Sequence, residues 1–454
     1  MPRLARIGLL CGLTVALLGA CETSADKPPP PQASDEAEDQ PGIGLPATPA
    51  GSQLTWVLTD GATADDQELA RRFSSDFLAA VPVGEVRTVL SQVGRATAGE
   101  VRRSEPTTLE VIVESAGGTS VLARITVDAA APNRITGLIF QPAASADPPT
   151  TWAEVDTALA GLAARASLLA AEVTGDGSLV AIHEREPDAA GPIGSIFKLY
   201  VLGALSEAVT DGSIAWDERL VIKPTDASLP SGRLQDEVGS AVTVREAAQL
   251  MISISDNTAT DLLIGRLGRR AVEDVLEPMG LGPASRAATV PFLRTRELFI
   301  LKWGQPRAAI AAYAGADERE RRRLLEALPS RLPRASRVDP AHPVEVDRIE
   351  WFASPRELAA AHLFLDGRRV RPGLEPVGGI LGQNRGVDLD AAVWARVAFK
   401  GGSEPGVLAL SWLLERADGR RFVVNLLASD TARAVDEGAG AAIGAGAIAL
   451  LAGA

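Results

Sequence analysis

The stretch Gly194-Ser195-Ile196-Phe197-Lys198 decides how the rest of the chain is interpreted. The apolar residues that continue from it to Leu202 predict a buried helix, with Ser195 at or beside its N-terminus. A serine and a lysine three residues apart lie on one helix face and can contact each other. A lysine amine of lowered pKa can take the proton of a serine hydroxyl, and free N–H groups at a helix terminus can stabilise an oxyanion. The pattern therefore predicts a nucleophilic serine activated by a lysine.

Lysine is rare in this chain, and its rarity strengthens this interpretation. Lys and Arg together number 45, and only five of them are lysine: Lys27, Lys198, Lys223, Lys302 and Lys400. Arginine cannot act as a base because its guanidinium group stays protonated in proteins. We therefore single out Lys198 and Lys400, and interpret the other three lysines as incidental to an arginine-rich composition.

The amino-acid composition limits the classes of function that the protein could have. The 454 residues are 46% hydrophobic, which is enough for two or three domains with cores of their own. A formal net charge of −13 argues against nucleic acid as a partner. The three histidines, His183, His342 and His362, lie far apart, which argues against a His-based metal site and against a Ser-His-Asp triad. We interpret all three as structural or surface residues and expect neither a metal nor an organic cofactor.

The amino terminus is predicted to be a targeting segment. Arg3 and Arg6 precede the apolar residues 7–18, and Leu18-Gly19-Ala20-Cys21 follows, which resembles a bacterial lipobox. Residues 1–21 are therefore expected to be a lipoprotein signal peptide, with Cys21 lipidated and the protein anchored outside the cytoplasm at the bacterial cell membrane. A plain secretory signal is the alternative. The Pro-rich, acidic residues 22–51 predict an extended tether.

Residues 52–142 are predicted to form a small α+β domain. Thr63 is a candidate N-cap for a helix that continues through Leu78, and a second helix is expected over residues 84–93. Apolar residues then recur with period two on both sides of Gly117-Gly118, which predicts antiparallel strands. This order is similar to cystatin-like or nuclear-transport-factor-like (NTF2-like) folds, and we expect an accessory role. Pro148-Pro149 marks the boundary to a second domain, residues 152–454.

Two further polar motifs lie in the second domain. Thr243 and Glu246 form a predicted capping box for an amphipathic helix, after which Ser255-Asp256-Asn257 stands before another apolar helix. Lys400-Gly401-Gly402 ends a predicted strand, and the glycines would let a ligand approach the strand edge. Two more strands and a small-residue helix over residues 431–451 follow. The alternatives are a polar loop with Asn257 as a helix cap, and a solvated strand-end lysine.

Ser195-Ile196-Phe197-Lys198, Ser255-Asp256-Asn257 and Lys400-Gly401-Gly402, in this order, resemble the serine β-lactamase and penicillin-recognising family, closest to class A. The resemblance implies an antiparallel sheet flanked by helices, plus an all-helical lobe. The order of tether, small domain and β-lactamase-like domain also resembles a subgroup of two-domain lipoproteins and a protein of the clavulanic acid pathway.

The resemblance implies a role for each residue of the motifs. Ser195 would be the acylated nucleophile and Lys198 its base or proton relay. Ser255 would pass a proton to the leaving nitrogen, and Asn257 would bind the substrate amide or orient Lys198. Lys400 would attract a substrate carboxylate and help to lower the pKa of Lys198.

The oxyanion hole would consist of the backbone N–H groups of Ser195 and Ser403, and Gly401, Gly402 and Ser403 would line the substrate. Gly401 stands where the family usually has a hydroxyl residue, and we expect the Ser403 hydroxyl to replace it in part.

The E-x-x-L-N signature, whose glutamate activates the deacylating water in the family, is not recognisable. Glu350 and Glu345 are the nearest candidates, although a structural role fits each of them better. Residues 287–340 are long for a compact class A enzyme, and residues 317–328 predict an exposed helix that reshapes the rim of the site.

The sequence therefore predicts an envelope-tethered, monomeric serine hydrolase that forms an acyl-enzyme with a β-lactam or a related amide or ester. The alternatives are a D-Ala-D-Ala carboxypeptidase, a small-ester hydrolase, or a penicillin-binding protein with little turnover.

Overall fold

A computed structural model describes residues 44–81, 83–93, 96–115, 120–142, 147–333, 339 and 342–454. The predicted signal peptide, Cys21 and most of the predicted tether lie outside the described residues. The described chain forms two compact units, one up to residue 142 and one from residue 147 onwards. Within these ranges no helix combines the length and the apolar character needed to cross a membrane.

The first unit is α+β: helices α1–α4 precede a four-stranded antiparallel sheet in the order β1-β2-β3-β4. The bounds are α1 Pro49–Thr59, α2 Asp66–Arg72, α3 Ser75–Ala80, α4 Val83–Val93, β1 Ala96–Ser104, β2 Thr108–Ser115, β3 Ser120–Val127 and β4 Ile135–Pro142. Leu54 and Phe77 from the helices, and Phe73 between α2 and α3, share one core with Val111 and Ile125 of the sheet. The likeness to cystatin-like or NTF2-like folds stays a prediction.

Helix caps explain where this unit differs from the sequence prediction. The side chain of Thr48 accepts a hydrogen bond from the Gly51 N–H, so α1 begins at Pro49, within the stretch assigned to the tether. The single helix predicted from Thr63 is two helices instead. Asp65 caps α2, and Ser74 accepts from the Phe77 N–H to start α3 after the chain becomes extended at Phe73.

The second unit is built on a five-stranded antiparallel sheet in the order β11-β12-β13-β5-β6. Its strands are β5 Arg165–Val173, β6 Leu179–Arg185, β7 Gly191–Pro192, β8 Arg219–Val221, β9 Ala241–Thr243, β10 Phe352–Ala353, β11 Trp394–Glu404, β12 Val407–Arg416 and β13 Arg421–Ser429. Its α-helices are α5 Trp152–Leu162, α6 Lys198–Thr210, α7 Val244–Ser253, α8 Asn257–Leu267, α9 Arg269–Val275, α10 Pro283–Thr289, α11 Thr295–Phe299, α12 Arg307–Ala314, α13 Glu318–Glu326, α14 Pro355–Arg368, α15 Pro376–Gly382 and α16 Glu437–Ala452.

Both faces of this sheet are covered, and alternate residues of one strand enter different cores. Leu168 and Ala170 of β5 pack with the flanking helices α5 and α16, whereas Leu169 and Ala171 pack with the helical lobe. Helix α16 begins at Glu437, six residues later than predicted, because Asp436 caps it. Its small residues allow the predicted close packing on the sheet. The β-lactamase-like arrangement predicted for this domain, a helix-flanked antiparallel sheet with a helical lobe, is therefore confirmed.

The long segment between α10 and β10 contains α11, α12, α13 and a short π-helix, Ile300–Gly304. Helix α13 buries only Leu325 and carries the predicted i,i+4 pair between Glu318 and Arg322. Residues 352–353 then pair with β7, two residues before Gly194. This pairing joins the end of the long segment to the start of the Ser195 turn.

Candidate active site

Close backbone contact between β11 and the turn that carries Ser195 creates the site. The turn is a 3₁₀ helix, Gly194–Phe197, which leads directly into α6 at Lys198. Gly194 has φ +46°, and a Cβ there would lie 3.0 Å from the Ser403 nitrogen. A Cβ on Gly402 would lie 2.5 Å from the Ser195 nitrogen. Both glycines are therefore required for this approach, which brings the backbone N–H groups of Ser195 and Ser403 to one place.

Lys198 is the centre of the site. Its Nζ lies 3.2 Å from the Ser195 Oγ, as expected for two side chains one helical turn apart. It also lies 2.6 Å from the Ser255 carbonyl oxygen, 2.8 Å from the Ser255 Oγ and 2.7 Å from the Asn257 Oδ1. The side chain is fully buried, so these oxygens replace the water that a lysine amine would otherwise bind.

The Ser255-Asp256-Asn257 segment is held in an unusual backbone conformation. Ser255 has φ +57°, a left-handed conformation that is costly for a residue with a Cβ and is found at functional sites. Asp256 maintains it, because its buried carboxylate caps α8 at the Ala259 N–H and also accepts from the N–H groups of Arg233 and Leu234. The predicted capping box of Thr243 and Glu246 is present at the start of the preceding helix, α7.

The amide of Asn257 has two partners. Its Oδ1 accepts from Lys198, and its Nδ2 donates to the carbonyl oxygen of Leu229 at 2.9 Å. Of the two roles that the resemblance implied for Asn257, this geometry favours the orientation of Lys198. An amide nitrogen carries two hydrogens, so one donor is left for a substrate.

Lys400 approaches Ser255 from the sheet. Its Nζ lies 3.1 Å from the Ser255 Oγ and 2.6 Å from the carbonyl oxygen of Gly401. Burial lowers the pKa of the Lys400 amine to about 7, because a charged group is poorly solvated there. The amine therefore changes its charge within the neutral pH range. The structure brings the four residues predicted to be catalytic, Ser195, Lys198, Ser255 and Lys400, into one hydrogen-bonded group.

Gly401 offers no side chain to a substrate, and the hydroxyl of Ser403 is already engaged. It donates to the carboxyl of Glu437, the first residue of α16, whose pKa burial raises to about 7. This contact competes with the expected replacement of the group missing at Gly401 by the Ser403 hydroxyl, which stays a prediction. Glu437 cannot be identified from the sequence, because its contact with the site depends on how α16 packs against β11.

A family model described as "Beta-lactamase enzyme family" matches residues 153–311, which contain Ser195, Lys198, Ser255 and Asn257. This match supports a class A-like serine β-lactamase family for the second unit. The family predicted from the three motifs is thereby confirmed. A second family model, "ORF 12 gene product N-terminal", matches residues 45–132. The resemblance to two-domain lipoproteins and to the clavulanic acid pathway protein stays a prediction.

Known relatives and structures are similar to this chain at low identity. A beta-lactamase of Bacteroides uniformis is 27% identical over 135 residues, 28% of this chain, and the match spans about half (46%) of that relative. The beta-lactamase of Sphaerobacter thermophilus has 22% identity and a TM-score of 0.45, over 66% of this chain and 96% of the other. A beta-lactamase from Chitinophaga pinensis has 16% identity and a TM-score of 0.45, over 66% and 98% of the two chains.

The two glutamates predicted as candidates for deacylation have other partners in the second unit. Glu345 forms an ion pair with Arg348 at 2.7 Å. Glu350 is buried, lies 3.7 Å from the Nζ of Lys302, and is hydrogen-bonded to Glu404. These contacts do not support a role in water activation for either residue. The interpretation of Lys302 as incidental is wrong, because its side chain is fully buried, and the rarity of lysine could have identified it.

The histidines have the structural roles predicted for them. His362 is buried against the Ser411 hydroxyl, and burial lowers its pKa to about 4, so the ring is neutral. His183 stacks on Trp152, and His342 is exposed beside Asp339. Within the described ranges, no three His, Cys, Asp or Glu side chains are grouped so that they could hold a metal ion.

Proposed function

We propose that the protein is an envelope-tethered serine hydrolase that forms an acyl-enzyme through Ser195. The observation that carries the proposal is the 3.2 Å contact between the Ser195 Oγ and the buried Nζ of Lys198. A serine hydroxyl needs a base within hydrogen-bond reach, and an amine surrounded by protein instead of water can act as one when it is uncharged.

In the proposed acylation, the Ser195 Oγ bonds to the substrate carbonyl carbon while its proton moves to the Nζ of Lys198. The N–H groups of Ser195 and Ser403 stabilise the resulting oxyanion. When the intermediate collapses, the bond to the leaving nitrogen breaks, and the nitrogen takes the hydroxyl proton of Ser255. Lys198 returns its proton to Ser255 across their 2.8 Å contact, so the catalytic residues end as they began.

The proposed substrates are β-lactams and related amides or esters. Lys400, at the edge of β11 beside Gly401 and Gly402, supplies positive charge for a substrate carboxylate when it is protonated. Asn257 has one amide hydrogen left for the carbonyl group of a side chain on the substrate. A D-Ala-D-Ala carboxypeptidase or a small-ester hydrolase would use the same acylation chemistry.

A second candidate is a penicillin-binding protein with little turnover. The observation that favours it is that both candidate glutamates already have partners. Glu345 pairs with Arg348, and Glu350 contacts Lys302 and Glu404. Without a carboxylate that activates water, an acyl-enzyme is expected to hydrolyse slowly. We therefore propose that acylation is faster than deacylation.

Intact-protein mass spectrometry after mixing with a penicillin, and separately with a chromogenic ester, tests the proposal. A transient adduct with continuing product release supports a hydrolase, and a lasting adduct supports a binding protein. Absence of an adduct with either compound, or an adduct that Ser195→Ala still forms, overturns the assignment of Ser195.

We further propose that Cys21 carries the lipid that anchors the chain, as a monomer, outside the cytoplasm at the bacterial membrane. The first unit, with a cystatin-like or NTF2-like fold, would be an accessory or substrate-orienting domain. Fractionation of cells that express the full chain tests the anchor: Cys21→Ser should move the protein from the membrane to the soluble fraction. Retention of that variant on membranes would contradict it.

A further inference from the structure

Three charged side chains form a buried group beside the site that the proposed acylation does not use. They are Lys302 from the π-helix, Glu350 from the segment before β10, and Glu404 from the end of β11; we call them the Lys302 cluster. Their side chains are 0%, 1% and 9% exposed. The Nζ of Lys302 donates a hydrogen bond to the Glu404 carboxylate. It lies 3.7 Å from the Oε1 of Glu350.

Charge balance decides the protonation of this cluster. One ammonium group and two carboxylates would leave a net negative charge in the core, which is costly, so one carboxyl group keeps a proton. Burial, together with the negative charge of Glu404, raises the pKa of the Glu350 carboxyl to about 8. The charged groups that face Glu350 are Glu404 and Lys302, and those that face Glu404 are Lys302 and Glu350. Burial raises the pKa of the Glu404 carboxyl as well, so the two carboxyl groups share one proton at neutral pH and the cluster is neutral. Glu350 is the better site for that proton, because Lys302 donates to Glu404 and lies farther, at 3.7 Å, from Glu350.

The cluster joins the two backbone segments that carry the proposed oxyanion donors. Glu404 directly follows Ser403 on β11 and lies on the same face of the strand as Lys400. Glu350 directly precedes Trp351, whose carbonyl oxygen accepts from the Ile193 N–H at 2.9 Å, two residues before Ser195. The ring of Trp351 also stacks on Phe197 at 3.7 Å.

We propose that Lys302, Glu350 and Glu404 are positioning residues that hold the N–H groups of Ser195 and Ser403 at the separation an acyl oxyanion requires. This inference rests on the proposed acylation by Ser195. None of the three side chains needs to touch the substrate, so their effect is on the acylation rate constant and not on substrate affinity.

The proposal implies that the acylation rate constant depends on pH. Loss of the Glu350 proton places a second negative charge beside Glu404, and the two carboxylates then repel each other in a buried site. The cluster is therefore intact while Glu350 keeps its proton and is disturbed in alkaline solution, where the proton is lost. If only the protonated cluster supports acylation, the acylation rate constant falls about tenfold per pH unit once Glu350 ionises.

The test is the acylation rate constant of the full chain with a penicillin from pH 6 to pH 10, followed by quenched-flow mass spectrometry. Glu350→Gln keeps a neutral hydrogen-bonding group that cannot lose a proton. Its rate constant should be within about twofold of wild type at pH 7 and should stay level where that of wild type falls. Glu404→Gln should also abolish the alkaline decrease, because Glu350 then becomes the ionised partner of Lys302. Glu326→Gln on the exposed face of α13 is the matched control and should keep the wild-type profile.

An unchanged alkaline decrease in Glu350→Gln overturns the inference while leaving Ser195 as the nucleophile. If Glu350→Gln does not fold, as judged by circular dichroism, Glu404→Gln decides in the same way. Titration of Lys400 occurs in all of these proteins, so it cannot produce a difference between them. Absence of acylation of the wild-type protein at every pH overturns the proposed function, and this inference with it.

Discussion

Lys198 and Lys400 share one hydrogen-bond partner, the hydroxyl group of Ser255, at 2.8 and 3.1 Å. A hydroxyl oxygen can accept two hydrogen bonds and donate one. When both amines are protonated, they occupy the two acceptor positions, and the hydroxyl proton of Ser255 is directed elsewhere. When one amine is uncharged, Ser255 can donate to it. The protonation of the two lysines therefore determines where this proton points.

Ser255→Ala should abolish the relay without removing the nucleophile. We expect the acylation rate constant with a penicillin to fall by about 10²- to 10⁴-fold, the usual contribution of a positioned proton donor. Affinity before acylation should change little, and the ratio of the two effects can be read from single-turnover kinetics. Ser253→Ala is the matched control, because its hydroxyl donates to a helix carbonyl, that of Gln249. Equal loss in the two variants would contradict the relay.

The pKa of Lys400 predicts how binding depends on pH. Burial lowers this pKa to about 7, so the amine is charged below pH 7 and becomes neutral above it. Affinity for a penicillin, which carries a carboxylate, should therefore decrease as the pH rises from 6 to 9. Affinity for an uncharged ester should stay constant over the same range. Lys400→Met should bind the penicillin weakly at every pH, and a pH dependence retained by this variant would show that another group titrates.

The lowered pKa of Lys400 also predicts that this residue destabilises the folded protein. An ordinary lysine in the unfolded chain keeps its proton up to pH 10.5, whereas folded Lys400 loses it near pH 7. Between these values the unfolded state binds more protons, so Lys400 makes the free energy of unfolding increase with pH. Lys400→Met removes the buried amine and should raise the melting temperature at pH 6 by a few degrees, although activity is lost. Calorimetry at pH 6 and pH 9 measures both effects, and a lower melting temperature in the variant at pH 6 would refute this account.

Short sequence motifs predicted most of the residues of the site, but not the residues that surround it. The Ser195, Ser255 and Lys400 motifs could be recognised because each depends on a few adjacent residues, and the predicted capping box at Thr243 is present for the same reason. The Lys302 cluster was missed because Lys302 and Glu404 are 102 residues apart, and nothing near Lys302 in the sequence identifies its partner. The break between α2 and α3 at Phe73 was not predicted, because the helical spacing of apolar residues continues across it. The break is caused by Ser74, which caps the start of α3.

Glu437 predicts an unusual preference among substrates. Its carboxyl group accepts from the Ser403 hydroxyl, and its pKa of about 7 leaves it substantially ionised in mildly alkaline solution. A substrate carboxylate beside Ser403 would meet this negative charge, at a cost on the order of 1 kcal/mol, or about fivefold in affinity. Glu437→Gln should therefore bind penicillins about fivefold more tightly at pH 8, with little change for an uncharged ester. Glu326→Gln controls for the change in net charge, and an equal gain in that variant would refute the contact.

A substitution at Gly402 tests whether the close contact between β11 and the Ser195 turn is needed for acylation. A Cβ at this position would lie 2.3 Å from the Ile193 carbonyl oxygen and 2.5 Å from the Ser195 nitrogen, so backbone must move in Gly402→Ala. The movement separates the two oxyanion donors, and the loss of one such donor costs about 10²- to 10³-fold in rate. Gly379→Ala in α15 is the matched control, because no atom lies within 4 Å of its added Cβ. We expect Gly402→Ala to fold and to acylate at least a hundredfold more slowly than Gly379→Ala, as measured by the rate of penicillin adduct formation. Equal rates in the two variants would mean that the N–H groups of Ser195 and Ser403 do not act together on the substrate.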